Sequence, residues 1–278
     1  MKISKTSLFL LVVYLATIVL WLFFVIYTGY EALYEGNLYT LVLKPFLIGM
    51  TILPLAGGFL GVLRAKKWGG LKSAVGRGIL ALSFGLFAWG LGMIVWNYYL
   101  FSGKLEIPYP SLGDFFYILI WPLWTYGMIE IARVSGARFG LRNKLGRSLL
   151  FIIPIVVIIL SYFLLFSVAR NGIIEWDNLA QLILGVLYPL GDVLILSSAM
   201  VVFFLSRNFL GGIYHKPIIL LLFGFVLNYV ADFIFVYTTT NGTYFNGNIA
   251  DFLYVNMIYI VSLGILMLDP IRSDDYPT

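Results

Sequence analysis

The chain has no cysteine in its 278 residues, so disulfides, thiolate metal ligands and a cysteine nucleophile are excluded. It has one histidine, His215, in the loop sequence RNFLGGIYHKP, and no second imidazole to build a zinc site; His215 reads as an ordinary loop residue. Gln181 is the only glutamine, and a chain so poor in Cys, His and Gln leans toward a thermophilic source. Charge is scarce too. Only 11% of residues are Asp, Glu, Lys or Arg, against about a quarter in an average soluble domain, so the chain cannot cover its apolar surface in water.

What the sequence does contain is apolar length. Hydrophobic residues make up 61% of the chain and gather into runs of roughly 20, each able to cross a hydrocarbon core of about 30 Å. Eight runs stand out: 8–27, 40–63, 78–101, 112–132, 149–168, 179–205, 217–239 and 249–268. They are far longer than the roughly 10 residues of a membrane β-strand and do not alternate polar with apolar. The expectation is an all-α integral membrane protein: an eight-helix bundle in a single domain over 1–269, with a short polar tail at 270–278. The first run is too long for a signal-peptide core of about 7 to 15 residues and has no small-residue cleavage site after it, so it is expected to be retained as the first span.

The net charge of +5 does not point to nucleic acid, because the positive residues are confined to alternate short loops. Lys2 and Lys5 precede the first span; Arg64, Lys66, Lys67, Lys72 and Arg77 fill the second-to-third loop; Arg133, Arg138, Arg142, Lys144 and Arg147 flank or fill the fourth-to-fifth; Arg207 and Lys216 sit in the sixth-to-seventh. The opposite loops carry Glu31 and Glu35, Lys104 with Glu106, and Arg170 with Glu175 and Asp177. The positive-inside rule then places both termini in the cytoplasm of a cell-membrane, multi-pass protein. Asn241-Gly242-Thr243 falls on the outer side, where it fits either a glycosylation acceptor or a turn.

An internal repeat is visible. SLGDFFYILIWPLWTYGMI in the fourth span aligns with NIADFLYVNMIYIVSLGIL in the eighth, matching Asp114 with Asp251, Phe115 with Phe252, Tyr117 with Tyr254 and Gly127 with Gly264. The sixth span fits the frame more weakly, with Gln181 at the aspartate position and Tyr188-Pro189-Leu190 on Trp121-Pro122-Leu123. The alignment predicts repeated helical hairpins of one orientation. Pro122 and Pro189 are expected to kink their helices.

Ionisable groups inside a membrane cost about 2.5 to 3.5 kcal/mol on insertion scales and face the bundle interior. Asp114, Asp192, Asp232 and Asp251 qualify. Asp114 and Asp251 follow Ser111 and Asn248 by three residues, as in a capping box, and meet the positive end of a helix dipole; a cap role and a ligand contact are compatible. Asp192 and Asp232 lie deeper and have no capping explanation. Lys44 is the one deep basic candidate, either pairing with Asp232 or Asp251 or snorkelling outward. Asn97, Asn228 and Asn256, with Tyr98, Tyr99, Tyr117, Tyr229 and Tyr254, add polar atoms that suit interhelical hydrogen bonds and an aromatic belt, or an outward-open pocket.

Three chemistries fit deep carboxylates unequally. SLGDFFY and YPLGDV partly resemble the Gly-x-Gly-Asp of presenilin-like intramembrane aspartyl proteases, but Ser111 and Pro189 replace the first glycine, and the Tyr-Asp pair and Pro-Ala-Leu motif are missing. A microbial rhodopsin needs a lysine in the middle of a late helix, and the last four spans have none. An ion- or proton-coupled transporter could use Asp192 and Asp232, although interrupted half-helices are not evident.

YPSLGDFFYILIWPLWTYGM, LYPLGDVLILSSAM and ADFIFVYTTTNGTYFNGNIADFLYVNMIYI resemble the multi-span membrane sensor regions that precede diguanylate cyclase or histidine kinase modules in prokaryotic proteins. The likeness covers the third to eighth spans through Pro-Ser-x-x-Asp-x-x-Tyr and Tyr-Pro-x-x-Asp; the catalytic module that follows in those proteins is not expected in this chain. The resemblance implies reception of a signal in the membrane and its transfer to a separate cytoplasmic partner. The expectation is therefore a non-enzymatic sensor or ligand-binding protein in the lipid bilayer, without cofactor, metal or nucleic acid. Its small-molecule or lipid ligand would be held by Asp192, Asp232, Asp114, Asp251, Lys44, Tyr117, Tyr254 and Asn228, and no catalytic residue is assigned.

Overall fold

The computed structural model describes residues 5–28, 39–102, 108–173, 178–207 and 214–270. Their regular structure is entirely helical: α1 (Lys5–Thr28), α2 (Lys44–Lys67), α3 (Ala74–Phe101), α4 (Leu112–Val134), the short α5 (Ala137–Gly140), α6 (Lys144–Ser161), α7 (Leu179–Ser206), α8 (His215–Thr240) and α9 (Ile249–Met267). A π-helical segment, Tyr39–Leu43, leads into α2, and another, Tyr162–Val168, continues α6. Eight of these helices are long and apolar enough to cross a membrane, one for each apolar run. Lys2, Glu31, Glu35, Lys104, Glu106, Glu175 and Asp177, which entered the expected orientation, lie outside the described residues, as does the tail from 271 on.

Several helices run about a turn past the apolar runs. Arg64, Lys66 and Lys67 fall in the last turn of α2, and Arg133 in the last turn of α4. Hydropathy ends where the charges begin, whereas a helix gains from cations at its C-terminus, where the backbone dipole is negative. The starts are set by caps: Ser73, Ser111, Asn143, Asn178 and Asn248 each accept a backbone N–H of the first turn of α3, α4, α6, α7 and α9.

The helices α2 and α3, α3 and α4, and α8 and α9 pack as adjacent antiparallel pairs. Further contacts run from α4 to α7, α7 to α8 and α9 to α3, so α3, α4, α7, α8 and α9 form a closed circuit. Outside it, α2 backs α3 and α9, α1 lies on α2 and α9, and α6 lies on α7 with its π-helical continuation against α8. The circuit is filled with aromatic rings. Trp124 is fully buried and donates from Nε1 to the Leu82 carbonyl at 3.1 Å. Between apolar helices in lipid, close packing replaces the hydrophobic drive, and two glycines provide it here: a β-carbon on Gly85 would overlap the Trp124 indole, and one on Gly191 the Trp121 indole. Both α4 and α7 continue through Pro122 and Pro189. The residues just before those prolines, Trp121 and Tyr188, meet edge to face across the α4–α7 contact, with centroids 5.2 Å apart.

One end of the bundle, termed the cap end, carries the N-termini of α4, α7 and α9. The other, the arginine end, is fastened by ion pairs. Glu130 in the last turn but one of α4 has no exposed surface, and takes Arg77 Nη2 of α3 at 2.9 Å and Arg133 Nη1 at 2.5 Å. Arg77 also donates to the Leu71 carbonyl at 3.2 Å, tying in the α2–α3 turn. Nearby, buried Arg64 of α2 pairs with Asp269 beyond α9, and Trp68 Nε1 donates to the Leu268 carbonyl at 2.9 Å. Removing the Glu130 charge leaves two guanidiniums without their shared carboxylate and sets an amide NH2 donor against one of them. Glu130→Gln is expected to lower stability by about 2 kcal/mol, read as a lower Tm in detergent, whereas Lys144→Gln on the exposed start of α6 should leave Tm unchanged.

Candidate functional site

The closed circuit brings Asp192 of α7, Asn228 and Asp232 of α8, and Tyr254 of α9 into one polar chain. Asn228 and Asp232 are one turn apart on α8, so Nδ2 reaches Asp232 Oδ2 at 2.5 Å within the helix. The same amide nitrogen lies 3.4 Å from Asp192 Oδ1 across the α7–α8 contact. Tyr254 closes the chain from α9 by donating its hydroxyl to Asp232 Oδ1 at 2.6 Å. Asp192 and Asn228 are buried, and Asp232 is partly so. At about 1.5 Å per residue, Asp192 lies roughly 20 Å along α7 from the cap end. No ion pair among the described residues reaches either carboxylate.

Around this chain stands an aromatic wall. The Trp89 ring of α3 lies 5.2 Å from Tyr254, 5.9 Å from Tyr117 and 6.2 Å from Trp124 by centroids. Tyr117 points its hydroxyl at the Met93 sulfur, 3.4 Å away. Two polar atoms of the site are buried with no hydrogen-bond partner among the described residues: the acceptor Asn228 Oδ1 and the donor Trp89 Nε1. The deep group thus combines paired carboxylates, π faces, one unused acceptor and one unused donor. Such a combination suits a small positively charged or donor-rich ligand.

The two shallower aspartates form a matched pair nearer the cap end. Asp114 Oδ2 accepts the Ser111 backbone N–H at 2.6 Å in a full capping box, and Oδ1 accepts the Tyr188 hydroxyl of α7 at 2.5 Å. Asp251 Oδ2 accepts the Gly247 N–H at 2.6 Å and Oδ1 the Tyr244 hydroxyl at 3.3 Å. Each is buried, and each serves a helix start and a tyrosine together. Asp114 is only two residues into α4 and Asp192 is deep in α7, and the hydrogen bonds described for Asp114 go to Ser111 and Tyr188, not to Asp192.

Lys44 is placed elsewhere. It heads α2 with Nζ 5.5 Å from the Phe101 ring centroid, and no described ion pair joins it to Asp232 or Asp251. Asn97 and Asn256 work as interhelical ties: Asn97 Nδ2 donates to Thr51 Oγ1 at 2.8 Å, and Asn256 Oδ1 accepts the Tyr14 hydroxyl at 2.8 Å. Tyr229 does the same toward Ser161 at 3.0 Å.

Sequence reasoning passed over three participants. Tyr188 was visible only as part of a Tyr-Pro motif; Trp89 as one aromatic among many; and Glu130, a fully buried acid, lay in the sequence EIAR, where its i,i+3 spacing to Arg133 was the available signal. Compared with protein-family models, curated proteins and solved structures, the chain matches none of them.

The two functions of Asp114 are separable. Tyr188→Phe removes the interhelical bond and keeps the capping box; Asp114→Ala removes both. Loss of a cap costs about 1 kcal/mol and loss of a hydrogen bond to a charged group about 1.5 to 3 kcal/mol, so Asp114→Ala should lower Tm clearly more than Tyr188→Phe in parallel detergent melts.

Proposed function

We propose that this chain is an integral membrane sensor or ligand-binding protein whose site is the Asp192–Asn228–Asp232–Tyr254 chain and its aromatic wall. The observation that carries the reading is a buried and a half-buried carboxylate, Asp192 and Asp232, joined through Asn228 and without a described cation. Deep carboxylates are costly inside a bilayer, and a positively charged ligand would offset that cost. The ligand class is therefore a small cation such as a protonated or alkylated amine, held by carboxylates below and by Trp89, Tyr117 and Tyr254 rings beside it. Signal output would pass to a separate partner on the cytoplasmic side, in keeping with the resemblance to prokaryotic sensor regions.

A repeated hairpin with both termini cytoplasmic completes the proposal. Supporting the repeat, the alignment that sets Asp114 on Asp251 also sets the N-cap residues Ser111, Asn178 and Asn248 on one another, at the starts of α4, α7 and α9. Supporting the orientation, Arg77, Arg133, Arg138 and Arg142 all belong to the arginine end. The depth of Asp192 also favours a second reading, ion- or proton-coupled transport, which would appear as gradient-driven flux in proteoliposomes.

The site is tested by thermal stabilisation of the purified protein with ammonium, methylammonium and tetramethylammonium. Stabilisation of the wild type that weakens about tenfold in apparent affinity in Asp192→Asn and Asp232→Asn is expected. No stabilisation of the wild type, or an equal response in all three proteins, overturns it. Orientation is checked on the same chain, since a protein without cysteine accepts single reporters cleanly: a cysteine at Ser73 should be shielded from an impermeant reagent in intact cells, and one at Thr243 should be labelled.

A further inference from the structure

At the arginine end, far from the carboxylate chain, the α4–α5–α6 connection folds into an open cleft of about 670 Å³. Arg133, Arg138 and Arg142 line it, with Phe139 and Tyr214, and none of its lining residues is acidic. The three guanidiniums are not equivalent. Arg133 is held by Glu130, which it shares with Arg77, so that one carboxylate faces two cations. Arg142 is stacked 5.1 Å over the Phe139 ring, and neither it nor Arg138 has a carboxylate partner among the described residues. Stacking and the Glu130 pair fix two of the forks in advance, which reduces the ordering cost of binding an anion.

We propose that this cleft binds a phosphate group. Planar guanidinium forks donate paired N–H bonds to the non-ester oxygens of phosphate, and three of them around one opening exceed what a single carboxylate ligand could use. The depth points the same way. Arg133 is next to the last residue of α4, so the cleft opens where the apolar span ends, at the level of a bilayer's headgroups, whose phosphodiesters are the abundant anions there. Phe139, 51% exposed beside the cleft, gives an apolar surface for the glycerol and acyl portion of such a molecule. A soluble phosphate would use the same forks without that contact.

The test uses the full chain in nanodiscs of phosphatidylcholine, alone or mixed with phosphatidylglycerol, and measures phosphatidylglycerol retained after extraction into detergent. Arg138→Gln/Arg142→Gln should retain about tenfold less than wild type. The control is Lys144→Gln/Arg147→Gln, which removes the same charge from exposed positions outside the cleft and should retain as much as wild type. Phosphate-dependent stabilisation in detergent that the cleft variant loses, without lipid retention, identifies a soluble phosphate as the source. Equal losses in both double variants would reduce the effect to general positive charge and overturn the proposal, as would wild-type behaviour of the cleft variant toward both anions. If the double variant fails to assemble, the single variants Arg138→Gln and Arg142→Gln carry the same comparison.

Discussion

Hydrocarbon offers no hydrogen bonds, so a polar atom within a membrane-spanning helix has to be satisfied by the bundle itself. That constraint shapes the polar contacts between the helices of this protein. The Asn97 amide reaches from α3 to Thr51 on α2, the Tyr14 hydroxyl from α1 to Asn256 on α9, and Tyr229 from α8 to Ser161 on α6. Each tie joins an outer helix to the five-helix circuit. The carboxylates do the same for the circuit: Asp114 with Tyr188 links α4 to α7, Asp192 with Asn228 links α7 to α8, Asp232 with Tyr254 links α8 to α9, and Glu130 with Arg77 links α4 to α3. Apolar packing then fills the spaces these bonds define, with glycines admitting the indoles of Trp121 and Trp124.

The helices were legible because their signals are local: length, hydropathy and a Ser or Asn cap before the first turn. The capping role of Asp114 could be read from Ser111 for the same reason. Neighbourhood across helices was a different matter. Nothing in the spacing of Tyr188 announces Asp114, which lies on another helix, and the pairing of Asp192 with Asn228 depends on how α7 crosses α8. Lys44 illustrates the limit from the other side: opposite charge made an ion pair with Asp232 or Asp251 reasonable, but its ammonium stands over Phe101 at the head of α2 instead. Glu130 was hidden by its context: it lies within the expected span 112–132 but two residues from its end, where a charge is ordinarily solvated, and its partner Arg77 stands on another helix.

The bundle separates two kinds of charge. Among the described residues, the aspartates of the interior and the cap end each have hydroxyl or amide donors, and arginines collect around the arginine end with one buried acid, Glu130, among them. Both arrangements expose an excess: carboxylates with amide and phenol partners in one place, guanidiniums with too few carboxylates in the other. The proposed cation site and the proposed phosphate cleft are the two sides of that asymmetry, and the five-helix circuit, which contains both Asp232 and Glu130, connects them.

The acids within the bundle also differ in when their partners become available during synthesis. Asp232 has Asn228 one turn away on its own helix, Glu130 has Arg133 three residues on, Asp114 has the Ser111 N–H, and Asp251 the Gly247 N–H. These partners enter the membrane together with the acid, and the distant ones join when helices associate, with Tyr254 on α9 arriving last. Asp192 alone takes its described hydrogen bond from another helix, and that helix, α8, is made after it. In a chain assembled helix by helix, α7 carries its acid inward before any donor is present, and the pairing of α7 with α8 becomes the step that relieves it.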